Sequence, residues 1–496
     1  MTYKSKSVRY NFLMNFILNA SGFIFPLLTF PYISRVLLVE GVGRVEFASS
    51  VSSYFLLVAS LGIPTYGIRA CAQVKDDKER LSKTVHEILI INSVTTSLVV
   101  LAYIVCVLTV PRFSEDKALF FIHSLGILLN MLGVNWFYQA IEKYDYITVR
   151  TILFKTLSLV LIFLFVRASG DYMIYAAISV FALVGSNLLN FYKLRSYISF
   201  KRQAGYEFKK HLAPIFILFA QSLAISVYTS LDIIMLGFNK GDYDVGLYSA
   251  ASRFKGLLVS LVTSLGGVLL PRMSRYAKNK MQREFERTSV MAINFTLLLS
   301  IPLTVFFVFS ASDCLLILSG SEFLGASTAM RIITVAAIPC GLSGFLGIQV
   351  LTSLEKEKYV LYSVTVGAVV DFALNCFMIP LWGANGAALA TAIAEFFVLG
   401  IQLIYTKDII RPIIRKIRIF YYLIFTAISS GALLLCSRLP LNNTFLRLGA
   451  YAIAFFGAYA LCLVLRKEPI LADPEQRPVI DGAQKTNDKP QKGGKK

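Results

Sequence analysis

The sequence predicts an all-α integral membrane protein of about 14 transmembrane helices, arranged as two pseudo-symmetric six-helix lobes around a central cavity plus a terminal helix pair. Three observations carry this expectation. The 496 residues are 56% hydrophobic and only 16% charged, with a mean hydropathy of +0.65, far more apolar than a soluble core requires. Apolar stretches of about 18 to 25 residues recur along the chain, each long enough to cross a ~30 Å hydrocarbon layer at 1.5 Å per residue. The chain also echoes itself, in its apolar and its basic segments alike.

The stretches fall at approximately 11–34, 44–66, 84–109, 117–141, 146–168, 171–194, 212–237, 245–271, 289–310, 326–350, 359–381, 384–406, 419–437 and 444–465. The first follows Lys4, Lys6 and Arg9 and so imitates a signal peptide, but its apolar run continues through Ile33 without a small-x-small cleavage pattern, which reads as a retained helix. The loops between stretches alternate in charge. One set carries Arg69, Lys75, Lys78, Arg80 and Lys83, then Lys193, Arg195, Lys201, Arg202, Lys209 and Lys210, then Arg272, Arg275, Lys278, Lys280, Arg283 and Arg287, then Lys407, Arg411, Arg415, Lys416 and Arg418. The other set holds only Arg35, Arg44, Arg112, Lys117, Arg167, Lys240, Arg438 and Arg447. Basic loops stay in the cytoplasm, so the bias predicts a multi-pass protein of the inner (cytoplasmic) membrane, both termini cytoplasmic, with an even number of crossings.

The formal charge of +20 therefore reads as topology and contact with anionic membrane lipids, not as a nucleic-acid surface. Residues 467–496, rich in Pro, Lys, Gly, Asp and Gln, read as a disordered cytoplasmic tail. The seven cysteines sit almost entirely in apolar stretches, without zinc spacing, and read as small core residues. His86, His123 and His211 are scattered, and the chain carries no phosphate-binding loop, nucleotide fingerprint or carboxylate pair, so neither catalysis nor a cofactor is expected.

The echo is specific. Val42-Gly43 through Ala48-Ser49 matches Val245-Gly246 through Ala251-Ser252, and at the same offset Arg69, Lys75 and Arg80 meet Arg272, Lys278 and Arg283. Glu142-Lys143-Tyr144 is echoed by Glu355-Lys356 near Tyr359, at a slightly different offset. The organisation that follows is an N-lobe over 1–206, a C-lobe over 207–408, a terminal pair over 409–466, and the tail. Both halves start on the same side, so the repeat is parallel, about an axis along the membrane normal.

Phe30-Pro31-Tyr32-Ile33-Ser34-Arg35-Val36-Leu37 followed by Glu40-Gly41-Val42-Gly43 resembles the first-helix signature of the Wzx-type polysaccharide/O-antigen flippases of the multidrug/oligosaccharidyl-lipid/polysaccharide exporter superfamily. Leu61-Gly62-Ile63-Pro64 with Arg69, Asp232 through Gly237, and Val245 through Ala251 agree with it, so the resemblance covers about residues 10–465. Leu38 and Val39 stand where that family usually has Gly-Pro. The resemblance implies two lobes that expose a polar cavity to each side of the membrane in turn. It implies as substrate an undecaprenyl-diphosphate-linked oligosaccharide, and as partners membrane lipids, the polymerase and other polysaccharide assembly proteins.

Charges inside the bilayer mark the candidate site. A base at the bilayer centre costs about 2.5–3.5 kcal/mol, so Lys155, Arg253, Lys255 and Arg331 should face a wet cavity or a partner. Arg253 and Lys255 lie two residues apart, about 200° around a helix, and cannot both face one cavity. The planar guanidinium of Arg253 suits a diphosphate, whereas the long stem of Lys255 can snorkel, as can Arg331 near a helix end. Arg35 ends the first helix and is either an interfacial anchor or a gating and substrate contact. Asp371 and Glu395 either carry a coupling ion, Na+ or H+, or pair with the bases; Asp232 lies near an outer helix end, where solvation is cheap. Asn130, Asn135, Asn187, Asn375 and Gln221 are neutral polar candidates. Prolines 26, 31, 64, 214, 271, 302 and 339 can bend membrane helices.

The expected activity is translocation of the lipid-linked oligosaccharide from the cytoplasmic to the outer face. A multidrug and toxin exporter or a lipid II flippase on the same fold are the alternatives; the first favours an acidic, aromatic cavity for cationic drugs. A membrane polymerase or ligase would need a sizeable outer catalytic loop, and the long polar stretches lie on the other side.

Overall fold

The computed structural model describes residues 8–201, 205–264 and 266–468, and every element among them is helical. Lys4, Lys6, Arg202 and nearly all of the predicted tail lie outside the described residues, as do the side chains of Arg9 and Gln221. Eleven helical segments are long and apolar enough to cross a membrane, which makes this a multi-pass membrane protein. The count differs from fourteen because Leu13–Gln73 is taken as a single segment and because Lys209–Asn239 and Asp242–Thr263 fall outside the eleven. The last of these carries Asp242, Asp244, Arg253 and Lys255.

The helical stretch Val8–Ser60 is two helices, 8–37 and 39–60, broken at Leu38 (φ 61°, ψ −176°). The guanidinium of Arg253 lies over the Phe30 ring and also pairs with Glu46. Those residues stand eight positions to either side of Leu38, so the chain turns back on itself there.

The two halves meet at their repeated glycines. A Cβ on Gly43 would stand 1.8 Å from the carbonyl oxygen of Asp242, and one on Gly246 would stand 2.1 Å from that of Val39. The offset that relates Gly43 to Gly246 also relates Val39 to Asp242, so one contact is the symmetry copy of the other, as at a twofold interface. The second echo survives as a turn. Glu142 and Glu355 both adopt left-handed backbone (φ 60° and 58°), and in each case the next residue's N–H returns to a carbonyl five residues back, Lys143 to Tyr138 and Lys356 to Leu351, both at 2.9 Å.

The buried core is divided unequally between the two ends of the bundle. At the end opposite the basic loops, residues from both halves, among them Leu37, Phe47 and Phe120 with Tyr248, Met330 and Ala387, form one continuous apolar cluster. At the basic end there are two clusters, one around Leu81, Trp136 and Phe137, the other around Met273, Phe285 and Tyr422. The lobes are joined at one end and separately packed at the other. The Ile419–Cys436 and Thr444–Leu465 helices pair with each other and pack on the second half through Phe306 against Phe455 and Phe456.

Candidate functional site

Arg253 stands at the junction of the lobes. It projects from the Asp242–Thr263 helix onto the first half, where it forms an ion pair with Glu46 and places its guanidinium 4.2 Å over the Phe30 ring. The two side chains are 30% and 23% exposed, so the pair is half-buried and remains reachable. Beside it an apolar cleft of about 150 Å³, lined by Gly22, Pro26, Phe30, Gly256 and Leu318, runs between the first helix and the Arg253 helix. Ile24, Leu27 and Leu28 are exposed along the same stretch of the first helix.

Lys255 turns the other way, as its angular separation from Arg253 requires. It interacts electrostatically with Glu395, Asp232 and Asp371 inside the second half. Asp232 was expected to be cheaply solvated near a helix end, but it is 5% exposed and fully engaged. Tyr248 and Thr391 (2.9 Å) donate to one of its oxygens and Asn375 (2.6 Å) to the other, while Asn375 also reaches Asp371 at 3.2 Å. Packing of the Glu357–Trp382 and Ala384–Tyr405 helices against the Lys209–Asn239 helix closes water out and leaves hydrogen bonds as the means of solvating the carboxylate. Asp371 Oδ1 and Asn375 Oδ1 are buried acceptors without a donor. Glu395 is buried beside Cys340.

A third group of contacts closes the end opposite the basic loops. Arg35 Nη2 donates to the carbonyls of Leu316 (3.2 Å) and Ile317, the last turn of the Ala311–Leu318 helix, where a cation complements the helix dipole. Ser34 reaches the Leu318 carbonyl at 3.3 Å. Arg112 donates to the Gly237 carbonyl at 2.9 Å and pairs with Asp242, and Arg44 lies 3.8 Å from both Asp242 and Asp116. Burial raises the Asp116 carboxyl above its ordinary range against the pull of Arg44. Bases expected to be sparse loop charges are thus ties between the halves.

Lys155 meets the first helix from the side, donating to Ser21 Oγ at 3.1 Å with its ammonium 5.8 Å from the Phe25 ring centre. Arg35, Arg253 and Lys155 are therefore strung along one helix, at its end, at Phe30 and at Ser21 to Phe25. Arg331 is exposed and enters none of the hydrogen bonds or ion pairs described. Asn130, Asn135 and Asn187 serve the break between Asn130 and Asn135: Asn130 reaches Ser60, Asn187 the Leu129 carbonyl, and Asn135 accepts from Asn190 and Arg150. Cys376 is exposed, which corrects its reading as a core residue.

Five participants escaped the sequence reading. Glu46 and the buried Arg150 are charged residues inside apolar stretches and fall under the same rule that singled out Arg253. Tyr248 and Thr391 carry no such signal. Glu87, which joins His211 at 2.7 Å while His211 also bonds Tyr66 at 2.6 Å, supplies the partner that the histidine lacked in sequence.

A family model described as polysaccharide biosynthesis protein matches residues 8–277, more than half of the chain. The chain belongs to that family. A second model, MatE, matches residues 218–377. This polysaccharide biosynthesis family member is 23% identical over 417 residues to a protein of Escherichia coli (strain K12) described as an O-antigen transporter, a match covering 81% of this chain and 97% of the relative. It is 24% identical to a low-salt glycan biosynthesis flippase of Haloferax volcanii over 34% of this chain and 35% of that one. Among solved structures, a lipid II flippase, MurJ, in an inward closed conformation superposes with a TM-score of 0.73 at 16% identity, covering 93% of this chain and 99% of the other. An inward-facing multidrug resistance MATE transporter gives 0.57 at 13% identity, covering 78% and 96%. At such identities the likeness establishes the two-lobe transporter fold.

Proposed function

We propose that this family member flips a polyprenyl-diphosphate-linked oligosaccharide from the cytoplasmic to the outer face of the bacterial inner membrane by alternating access, without covalent chemistry. The observation that carries the reading is Arg253 at the head of an apolar cleft between the lobes, held by a single carboxylate, Glu46. A guanidinium can exchange that single carboxylate contact for a diphosphate, which its planar fork can grip through two N–H groups, while the polyprenyl tail stays in lipid along the exposed face of the first helix. The names of the relatives, an O-antigen transporter and a glycan flippase, support the substrate class. The basic end is the cytoplasmic one, both termini lie there, and fourteen crossings follow if Leu13–Gln73 counts as two and the Lys209–Asn239 and Asp242–Thr263 helices one each. The polymerase and its associated assembly proteins receive the flipped unit.

Coupling to Na+ or H+ belongs to the buried group in the second half. The Asn375 amide N–H bridges the Asp232 and Asp371 carboxylates, the Thr391 hydroxyl donates to Asp232, and Asp371 Oδ1 has no donor, so a proton or a monovalent cation on that hard oxygen fits the residues present. Either would neutralise paired carboxylates that burial makes costly.

Replacing Arg253 with Ala should leave the protein in the membrane and cut surface polymer by tenfold or more, with lipid-linked units accumulating on the cytoplasmic side. Extraction of the lipid-linked saccharides from a deletion strain carrying the variant makes the measurement; unaltered surface polymer removes Arg253 from the site.

A further inference from the structure

Away from the lobe junction, at the basic end, the second half and the terminal pair enclose a cavity of about 1190 Å³. Its lining includes Arg272, Arg283, Arg287, Arg415, Lys416 and Arg418 against three acids, Glu284, Glu286 and Glu468. Glu468 is itself 2% exposed and taken up by Arg418 (3.0 Å) and Tyr422 (3.1 Å), so the balance over the cavity is positive.

The cluster is held in place. Asn294 donates to the Lys416 carbonyl at 3.2 Å and accepts from the Arg418 N–H at 2.8 Å, which pins the turn that carries Arg415, Lys416 and Arg418 to the Gln282–Phe309 helix. One wall is apolar, formed by Leu269, Val290, Met291 and Ile417. On either side of Tyr421, the Ile419–Cys436 helix presents exposed Phe420, Leu423 and Ile424, a flank suited to acyl chains. Bases above an apolar wall at a membrane-helix end match a lipid with an anionic head and a hydrocarbon tail, and basic pockets between membrane helices recognise phosphate headgroups in this way.

We propose that this cavity binds the phosphate headgroup of a membrane lipid in the leaflet at the basic end, at a site separate from the Arg253 cleft. The shared chemistry is a lipid phosphate, which either a bulk anionic phospholipid or a polyprenyl diphosphate can supply. The site does not depend on the flipping reading, since its residues bind whether or not the lobes rock.

The test is native mass spectrometry of the full chain in detergent, titrated separately with phosphatidylglycerol, undecaprenyl diphosphate and phosphatidylcholine, with inorganic phosphate as a competitor. The comparison is with R283Q/R415Q/K416Q, three exposed positions whose change should not disturb folding, and with R253Q, which leaves this cavity intact. Retention of phosphatidylglycerol over phosphatidylcholine, reduced on the order of tenfold in the triple variant and unchanged in R253Q, supports the site, as does a like reduction in undecaprenyl diphosphate binding when the triple change is added to R253Q, where the cleft has lost its guanidinium. On the R253Q background, tighter binding of the diphosphate names the polyprenyl lipid as the source, and equal binding names bulk phospholipid. Equal lipid retention by the triple variant and the native chain overturns the proposal, as does displacement by inorganic phosphate at the lipid's own concentration.

Discussion

At the scale of single residues, burial converts neutral neighbours into determinants of charge. Asp232 is stabilised by one phenol, one hydroxyl and one amide, each from a different helix. Asp232→Asn keeps the shape but removes the charge, so it should leave folding intact and abolish dependence of transport on a Na+ or H+ gradient; proteoliposomes with imposed gradients measure this, and retained dependence places coupling elsewhere. Leu38 offers a different experiment. Its φ of 61° and ψ of −176° lie in a region that side chains rarely adopt, and its side chain is 40% exposed. Leu38→Gly should therefore stabilise the protein by about 1 kcal/mol, seen as a higher unfolding midpoint in detergent; a lower midpoint would show that Leu38 packing outweighs the backbone strain.

At the scale of elements, close approach depends on what is missing. Gly43 and Gly246 let the second helix and the Asp242–Thr263 helix meet backbone to backbone, and the two contacts are copies of each other. The chemistry breaks this symmetry: Glu46 stands where the second half has Ser249, and Arg253 where the first has Ser50, so the ion pair occurs once. A methyl at either glycine must push the helices apart. Gly43→Ala and Gly246→Ala should each expose the seam to a similar degree, read as faster maleimide labelling of a Ser249→Cys probe, buried in the native chain, in a background freed of reactive cysteines. A large effect from one glycine alone would contradict the twofold packing.

For the whole molecule, the division of the core sets the conformational state. A shared apolar cluster and the Arg35, Arg44, Arg112 and Arg253 ties hold the lobes together at one end, while separate clusters leave them independent at the other. A charge-assisted hydrogen bond contributes about 1.5–3 kcal/mol, so a few of them are enough to bias a two-state equilibrium. Combining Arg35→Ala with Arg112→Ala should shift the population towards separation at that end. Pulsed electron resonance between spin labels at exposed positions 117 and 240 would register a longer distance component; an unaltered distribution would mean the shared core alone holds the closed end.

Much of this was written in the linear chain. Apolar length, alternating loop charge and the Val-Gly echo determine a two-lobe membrane bundle because a bilayer leaves the backbone few ways to satisfy its polar groups. The same logic marked Arg253 and Asp371, since charge in an apolar stretch is costly wherever it points. Direction was decided only by tertiary packing. Two residues of separation told that Arg253 and Lys255 diverge, but not that one would meet Glu46 across the lobe junction and the other a cluster of acids, nor that Tyr248 and Thr391 would solvate Asp232. Glu46 and Thr391 lie more than a hundred residues from the groups they meet, Tyr248 sits on the next helix along the chain, and neutral side chains carry no mark of the neighbours that packing will bring them.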